Sequence, residues 1–358
     1  MVRTERPRRS SPASGTRQQG NPRHLWETSL VGGPAAWSGP EIAHLDDWLF
    51  QLDDAETAGL LANVGRLGAV RANGGMAAVA ALPRSEVVVA EADGLFARMR
   101  RDILEGRGLA LIRGLPVDGL STEECELLAW CVGIHLGVPI HQNPQGDLTV
   151  DVIDQGKDFA HHQVRAYETA AELNYHSDSS DIVGLLCIRP AAAGGVSTVV
   201  SSTRAHDELV RRDPAAAELL YEPWWHFNPA DGSVAARPIC ARKGGELFTH
   251  YGRRYLDLGA ADPRTPVLDG EHRAALDLFD EMVRDPKLVL DMHFRPGDLQ
   301  LLNNYKILHS RTEYVDHPDP QLRRHLLRIW LVVPELEAPP EFVDVGIIPR
   351  TVAFSGPG

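Results

Sequence analysis

The chain has 358 residues, with 36 basic and 49 acidic side chains and a formal net charge of -13. An acidic balance argues against a general nucleic-acid binder, which needs a basic face to neutralise phosphates. No run of about 18 apolar residues is present to span a membrane, and 43% apolar content over this length allows a substantial core.

Residues 1–24 are rich in Arg, Ser, Pro, Gly and Gln and lack periodic apolar positions. A disordered or loosely ordered tail is expected over residues 1–40. Ile42, Leu45, Leu49, Leu52, Leu60, Leu61 and Val64 then fall roughly at helical spacing and predict a helix over 41–65. A second helix is expected over 92–106, from Leu95, Phe96, Met99, Ile103 and Leu104, stopped by Gly106 and Gly108. Leu109–Ile112 reads as a buried strand, and 121–136 as a helix capped by Ser121 or Thr122 with Glu124 or Glu126 behind.

From about residue 148 the texture changes to short strand-like runs between Gly, Pro, Asn and Asp breaks. Strands are expected at Leu148–Ile153, Ile182–Ile188, Val196–Ser201, Leu247–Tyr251, Leu288–Phe294, Leu299–Leu302 and Leu326–Val333, with helical inserts at 203–221 and 270–284. This pattern predicts a mostly β (α+β) fold: a jelly roll with outer and N-terminal helices. One domain over 41–358 suffices. It would be helical to about 108, jelly roll over about 109–335, and end in a C-terminal extension.

Four cysteines, Cys125, Cys131, Cys187 and Cys240, form no Cys-x-x-Cys pair, and no apolar leader is visible, so a reducing cytoplasm is the expected setting. Only four of the 36 basic residues are lysines. Arginine abundance is therefore read as codon bias, and single arginines count only where their position demands a partner.

The chain lacks a dinucleotide glycine fingerprint, a phosphate loop, a Gly-x-Ser-x-Gly elbow and a His-Glu-x-x-His motif. It has fifteen histidines and three His-x-Asp triplets. His44–Asp46 falls in an expected helix, where side chains two apart diverge. His317–Asp319 sits in a Pro-rich turn. His176–Asp178 directly precedes an apolar strand. On extended chain, residues two apart share a face, so an imidazole and a carboxylate can chelate one metal. A distant histidine would complete a two-histidine, one-carboxylate triad suited to non-haem Fe(II).

The segment GDLQLLNNYKILHSRTEYVDHPDPQLRRHLLRIWLVV supplies a strand, then His309, a polar turn, and a strand with Arg324 and Arg328. Arg324, Leu326, Arg328, Trp330 and Val332 share one face of that strand. Arg328 lies among Leu327, Ile329, Trp330 and Leu331, and a buried arginine requires an anionic partner. That partner is either an internal Asp or Glu or a carboxylate-bearing cosubstrate held bidentately.

With AELNYHSDSSDIVGLLCIRPAAAGGVSTVVSS at 171–202, this segment resembles the taurine dioxygenase-like (TauD/TfdA) family of Fe(II)/2-oxoglutarate-dependent oxygenases, over about 105–335. The resemblance implies a double-stranded β-helix. It implies that His176, Asp178 and His309 hold iron and that Arg328 grips the distal carboxylate of 2-oxoglutarate. Ser197, in Gly194-Gly195-Val196-Ser197, matches a hydroxyl that assists that carboxylate; its neighbour Thr198 belongs to the same element but faces the other way. Arg324 would contact cosubstrate or substrate, or lie in solvent. The implied cosubstrates are 2-oxoglutarate and O2, and the products succinate, CO2 and an oxidised, typically hydroxylated, small molecule of specialised metabolism. Related halogenases have a small residue where Asp178 stands, so the carboxylate favours hydroxylation, with desaturation, epoxidation and ring formation as the other outcomes.

Substrate-facing candidates are Arg165, Tyr167, Asn174 and Tyr175 before the metal strand, Trp224, Trp225 and Phe227 as an aromatic wall or as core, and Asn303 as a pocket residue or a turn cap. His161 and His162 read as exposed loop residues, not a second metal site. A carrier- or protein-bound substrate, a non-enzymatic jelly-roll binder and a zinc hydrolase are the competing readings, and the sequence is compatible with a homo-oligomer. The tail through residue 24 carries a net +5, which leaves -18 on the rest. On so acidic a body a dianionic cosubstrate needs locally placed cations.

Overall fold

The computed structural model describes residues 29–143, 145–157, 166–229 and 231–342. The first 28 residues, and with them the expected disordered segment, lie outside the described residues, as do Arg165, His161 and His162.

In chain order the described elements begin with α1 (Gly39–Ile42), β1 (Leu49–Gln51), α2 (Asp54–Ala80), α3 (Asp93–Glu105), β2 (Leu109–Arg113), α4 (Thr122–Leu136), β3 (Val138–Pro139) and β4 (Thr149–Val152). They continue through β5 (Leu173–His176), β6 (Ile182–Arg189), β7 (Ala193–Gly194), β8 (Ser197–Ser201), α5 (Ser202–Arg212), α6 (Pro214–Leu219) and β9 (Trp224–Phe227). The rest are β10 (Val234–Arg237), β11 (Cys240–Lys243), β12 (Glu246–Thr249), α7 (Arg253–Ala261), α8 (Gly270–Val283), β13 (Leu290–Met292), β14 (Leu299–Asn303), β15 (Ile307–Arg311), β16 (Tyr314–Val315) and β17 (His325–Val332).

Two sheets form the jelly roll. The larger runs β1-β2-β14-β6-β17-β3, with β4 also pairing to β17; the smaller runs β13-β8-β15-β5. The β1–β2 pair is parallel and the other pairs are antiparallel.

Strand pleating sorts the side chains into layers. On β17, Leu327, Ile329 and Leu331 turn outward and pack with α2, α3 and α4, together with Leu299 and Leu301 of β14. Trp330 and Leu302 turn inward against Val199 and Ile307 of the smaller sheet. The outer face of that sheet, with Val200 and Leu308, is covered by α5, α6 and α8 through Leu209, Ala217, Leu276 and Phe279.

The expected helix over 41–65 is not one helix. Asp53 caps α2 by accepting from the Glu56 amide, Glu56 reaches back to the Asp53 N–H, and this capping box starts the helix afresh at Asp54. The leucines before it serve a strand: Leu49 pairs with Leu111 of β2. The helix then runs on to Ala80 through a kink at Gly75, whose φ of 71° suits glycine. The span 203–221 splits at Asp213–Pro214, where Asp213 caps α6, and α7 carries no signal that was read as a helix. Residues 29–40 are not a loose tail throughout. Trp37 is 4% exposed and donates its indole N–H to the Arg107 carbonyl, so packed chain begins before residue 40.

Candidate active site

Antiparallel pairing of β5 and β15 sets His176 directly opposite His309, and their ring centroids lie 4.3 Å apart. Asp178 follows in the loop after β5. Its amide donates to Asn304 Oδ1 at 3.0 Å, and Asn304 Nδ2 donates to the Ser180 carbonyl at 2.9 Å, pinning the loop to the β14–β15 turn. Ser177 N–H is held by the Tyr251 carbonyl at 2.9 Å. The three side chains offer ligand atoms that all lie within 4.8 Å of one another.

Each member is prepared for a cation. His176 Nδ1 lies 2.8 Å from the Asn174 carbonyl, which fixes the protonated nitrogen there and leaves Nε2 its lone pair. Nε2 is 3.9 Å from Asp178 Oδ1. Asp178 Oδ2 accepts the Trp330 indole N–H at 2.9 Å and faces Arg328 Nη1 at 3.4 Å. Burial opposes a charge on Asp178, but Arg328, both histidines and the Trp330 hydrogen bond outweigh it and hold the carboxyl at about 2. Burial pushes His309 down to about 3, so its imidazole is neutral and free to donate a lone pair. The Nδ1 of His309 is buried without a partner. A neutral His309 imidazole with an orphaned ring nitrogen, a second imidazole whose Nε2 faces the site, and an ionised carboxylate fit a divalent cation.

The cavity continues between the sheets. Ser197 exchanges hydrogen bonds with Gln300 at 3.0 and 3.3 Å. The Gly194-Gly195 turn before it has φ values of 74° and 67°, conformations that a side chain resists. A Cβ on Gly195 would stand 3.4 Å from Arg324 Nε. Arg324 is 4% exposed and lines the cavity, which excludes the solvated alternative. Arg328 is held by Gln142 Oε1 at 2.8 Å and stacks on Tyr167 and Trp330, with its guanidinium carbon 4.9 and 4.5 Å from the ring centroids.

Of the substrate candidates, Tyr167, Asn174 and Tyr175 line the cavity. Asn174 also accepts from Arg284 at 2.6 Å. Thr198 is turned outward by the strand pleat, toward the Tyr175 hydroxyl, and does not line the cavity. Trp224 is core: it is 2% exposed, and its indole donates to the Leu219 carbonyl at 2.8 Å. Phe227 sits in the β9–β10 hairpin opposite Val234. Asn303 caps its turn, accepting from the Tyr305 amide at 3.0 Å and donating to the Ile103 carbonyl at 3.2 Å. Its neighbour Asn304 is the one that reaches the Asp178 loop.

The sequence placed Trp330 on the face of Arg328 without giving it a role, and gave none to Arg311 or Gln142. Arg311 stands two residues from His309 on the same strand, and the period of two could have found it. Gln142 carried no such signal.

The family described as "Taurine catabolism dioxygenase TauD, TfdA family" matches residues 79–330. FR-33289 synthase of Streptomyces rubellomurinus is 31% identical over 312 residues, 85% of this chain and 90% of that protein. A uridine-5'-phosphate dioxygenase of a Streptomyces species is 28% identical, covering 63% of this chain and 86% of that one. Among solved structures, an asparagine oxygenase with Fe(II), hydroxyasparagine and succinate superposes with a TM-score of 0.58 at 18% identity, over 80% of this chain and 93% of that one. The non-heme iron oxygenase OrfP with Fe and alpha-ketoglutaric acid gives the same score and identity over 85% and 99%. At such identity these two speak to the fold, which is the jelly roll expected from the strand pattern. The chain belongs to the TauD/TfdA family and is a dioxygenase dependent on Fe(II), 2-oxoglutarate and O2.

Proposed function

We propose that His176, Asp178 and His309 hold the iron, and that the chain hydroxylates an unactivated C–H bond of a small molecule in specialised metabolism. The observation that carries this reading is the convergence of two imidazoles and one carboxylate, drawn from β5, its following loop and β15, within 4.8 Å. Bound there with 2-oxoglutarate and O2, iron supplies oxidising power that no side chain has, with succinate and CO2 released.

The chain's own residues bind, orient and tune. Arg328 and Trp330 keep Asp178 ionised, and the Asn174 carbonyl aims His176. We assign the distal carboxylate of 2-oxoglutarate to Arg324 with Ser197, in place of the Arg328 expected from the sequence. Arg328 already has Asp178 and Gln142, whereas Arg324 is buried beside Gly195 with Nη1 unpartnered. A guanidinium with no ion pair among the described residues, walled off from solvent, is where an incoming carboxylate gains most. Tyr167, Asn174 and Tyr175 then line the space for substrate. The carboxylate at Asp178 supports hydroxylation as the outcome. Helices α2–α4 share one core with the large sheet, which supports a single oxygenase domain over the described chain beyond residue 41. No helix among the described residues is long and apolar enough to cross a membrane.

The test is succinate release over a panel of small acids, amino acids and nucleotides, with His309→Ala as control. Substrate-dependent succinate that vanishes in the variant is expected. Turnover without 2-oxoglutarate would contradict the reading.

A further inference from the structure

The end of the cavity away from Asp178 holds more donor capacity than the chain uses. Arg311 and Arg324 are each 4% exposed. Both guanidinium carbons stack on the Tyr314 ring, 4.6 and 5.0 Å from its centroid. Arg311 commits Nη2 to the carbonyls of Thr169 and Ala171. Among the described residues its Nε and Nη1, the Arg324 Nη1 and the Tyr314 hydroxyl are buried without a hydrogen-bond partner. Among the described residues no carboxylate comes within ion-pair distance of either arginine. The acids facing them are turned to backbone donors: Asp316 accepts from the Arg324 N–H, and Asp154 from the Gly156 N–H. Two like charges buried together with no ion pair among the described residues favour an arriving anion.

We propose that Arg311 and Tyr314 act with Arg324 as one seat for the distal carboxylate of 2-oxoglutarate, so that two guanidiniums and a phenol recognise it together. This rests on reading the cavity as a 2-oxoglutarate site. Arg311 stands two residues beyond His309 on β15, so the strand pleat directs it to the side of the sheet that carries the metal ligand. The same side chain ties down Thr169 and Ala171, just after Tyr167, and so links cosubstrate recognition to the wall of the substrate space.

A purely structural Arg311 would serve every keto acid equally, and that separates the two roles. The full-length protein is loaded anaerobically with Fe(II) and titrated with 2-oxoglutarate and, separately, with 2-oxobutyrate, which lacks only the distal carboxylate. The visible charge-transfer band of the keto acid on iron reports affinity. Arg311→Gln is expected to loosen 2-oxoglutarate by about tenfold or more and Tyr314→Phe by roughly threefold, both leaving 2-oxobutyrate within about twofold. Arg311→Lys, which keeps the charge, is expected to recover part of the loss, and with Tyr314→Phe it carries the test if Arg311→Gln does not fold. Equal loss for both keto acids, or no loss for 2-oxoglutarate, overturns the seat while leaving the iron reading intact. A wild-type protein without a band for either keto acid overturns the underlying reading and this one with it.

Discussion

The two ends of the cavity balance their charges differently. At the metal end, Asp178 is satisfied from within the chain by Trp330 and Arg328, and Arg328 in turn by Gln142. At the far end, Arg311 and Arg324 both stack on Tyr314 and form no ion pair among the described residues. The first end is built to keep an anion ionised for a cation that binds beside it. On the reading proposed above, the second is left cationic for an anion that comes and goes. A permanent ligand set and a turnover cosubstrate call for these opposite designs, because a pre-paired guanidinium would have to break an ion pair each cycle.

The sharpest way to break the contrast is to remove a metal ligand. His309→Ala is expected to abolish iron binding in anaerobic metal titration and to abolish succinate release, while a retained circular-dichroism spectrum shows an intact fold. Next in size, Arg324→Ala is expected to weaken 2-oxoglutarate by about a hundredfold in isothermal titration of the Fe(II) protein, since it removes charge-assisted hydrogen bonds worth about 1.5–3 kcal/mol each. Iron affinity should stay unchanged, and a matching fall in iron affinity would show that the two ends are not separate. Trp330→Phe removes the indole N–H from Asp178 Oδ2 and should cost about tenfold in iron affinity, as for other residues that support a ligand. Its preference for 2-oxoglutarate over 2-oxobutyrate should be unaltered.

The smallest effect lies outside the cavity. His135 is buried with Nε2 accepting from the Val89 N–H, and burial lowers its pKa to about 4. The unfolded chain then binds the proton more readily than the folded one. The contribution is full above about 6.5 and is lost as pH falls toward 4, so about 1 kcal/mol should disappear between roughly pH 7 and 5.5. His135→Gln, which keeps an acceptor without titrating near neutrality, should flatten that part of the denaturation profile.

The convergence of His176, Asp178 and His309 was legible in the sequence because its signal is local. His176 and Asp178 are two apart on extended chain, and His309 sits in a strand ahead of an arginine-bearing strand. The jelly roll was legible from short apolar runs between breakers, and the outward and inward faces of β17 followed from a period of two. The different surroundings of Arg324 and Arg328 were not legible. Both lie on one face, and what separates them is that Asp178 and Gln142 come from other parts of the chain to meet only one. Asn303 and Asn304 pose the same problem: adjacent amides, one closing its own turn and one reaching the metal loop. For Trp224 the sequence left an aromatic wall and core both open, and its contacts with Leu219 of α6 and His272 of α8 place it in the core. The helix placed over 41–65 failed because Leu45, Leu49 and Leu52 fit a helical period by coincidence, while the Asp53–Glu56 box marks the true start.

Anaerobic titration of the Fe(II) protein with 2-oxoglutarate, followed in the visible charge-transfer region, tests the central claim most directly. A saturable band is expected in the wild type, absent in His309→Ala and requiring about a hundredfold more 2-oxoglutarate in Arg324→Ala. A band that survives His309→Ala, or an Arg324→Ala titration that overlays the wild type, would contradict the account.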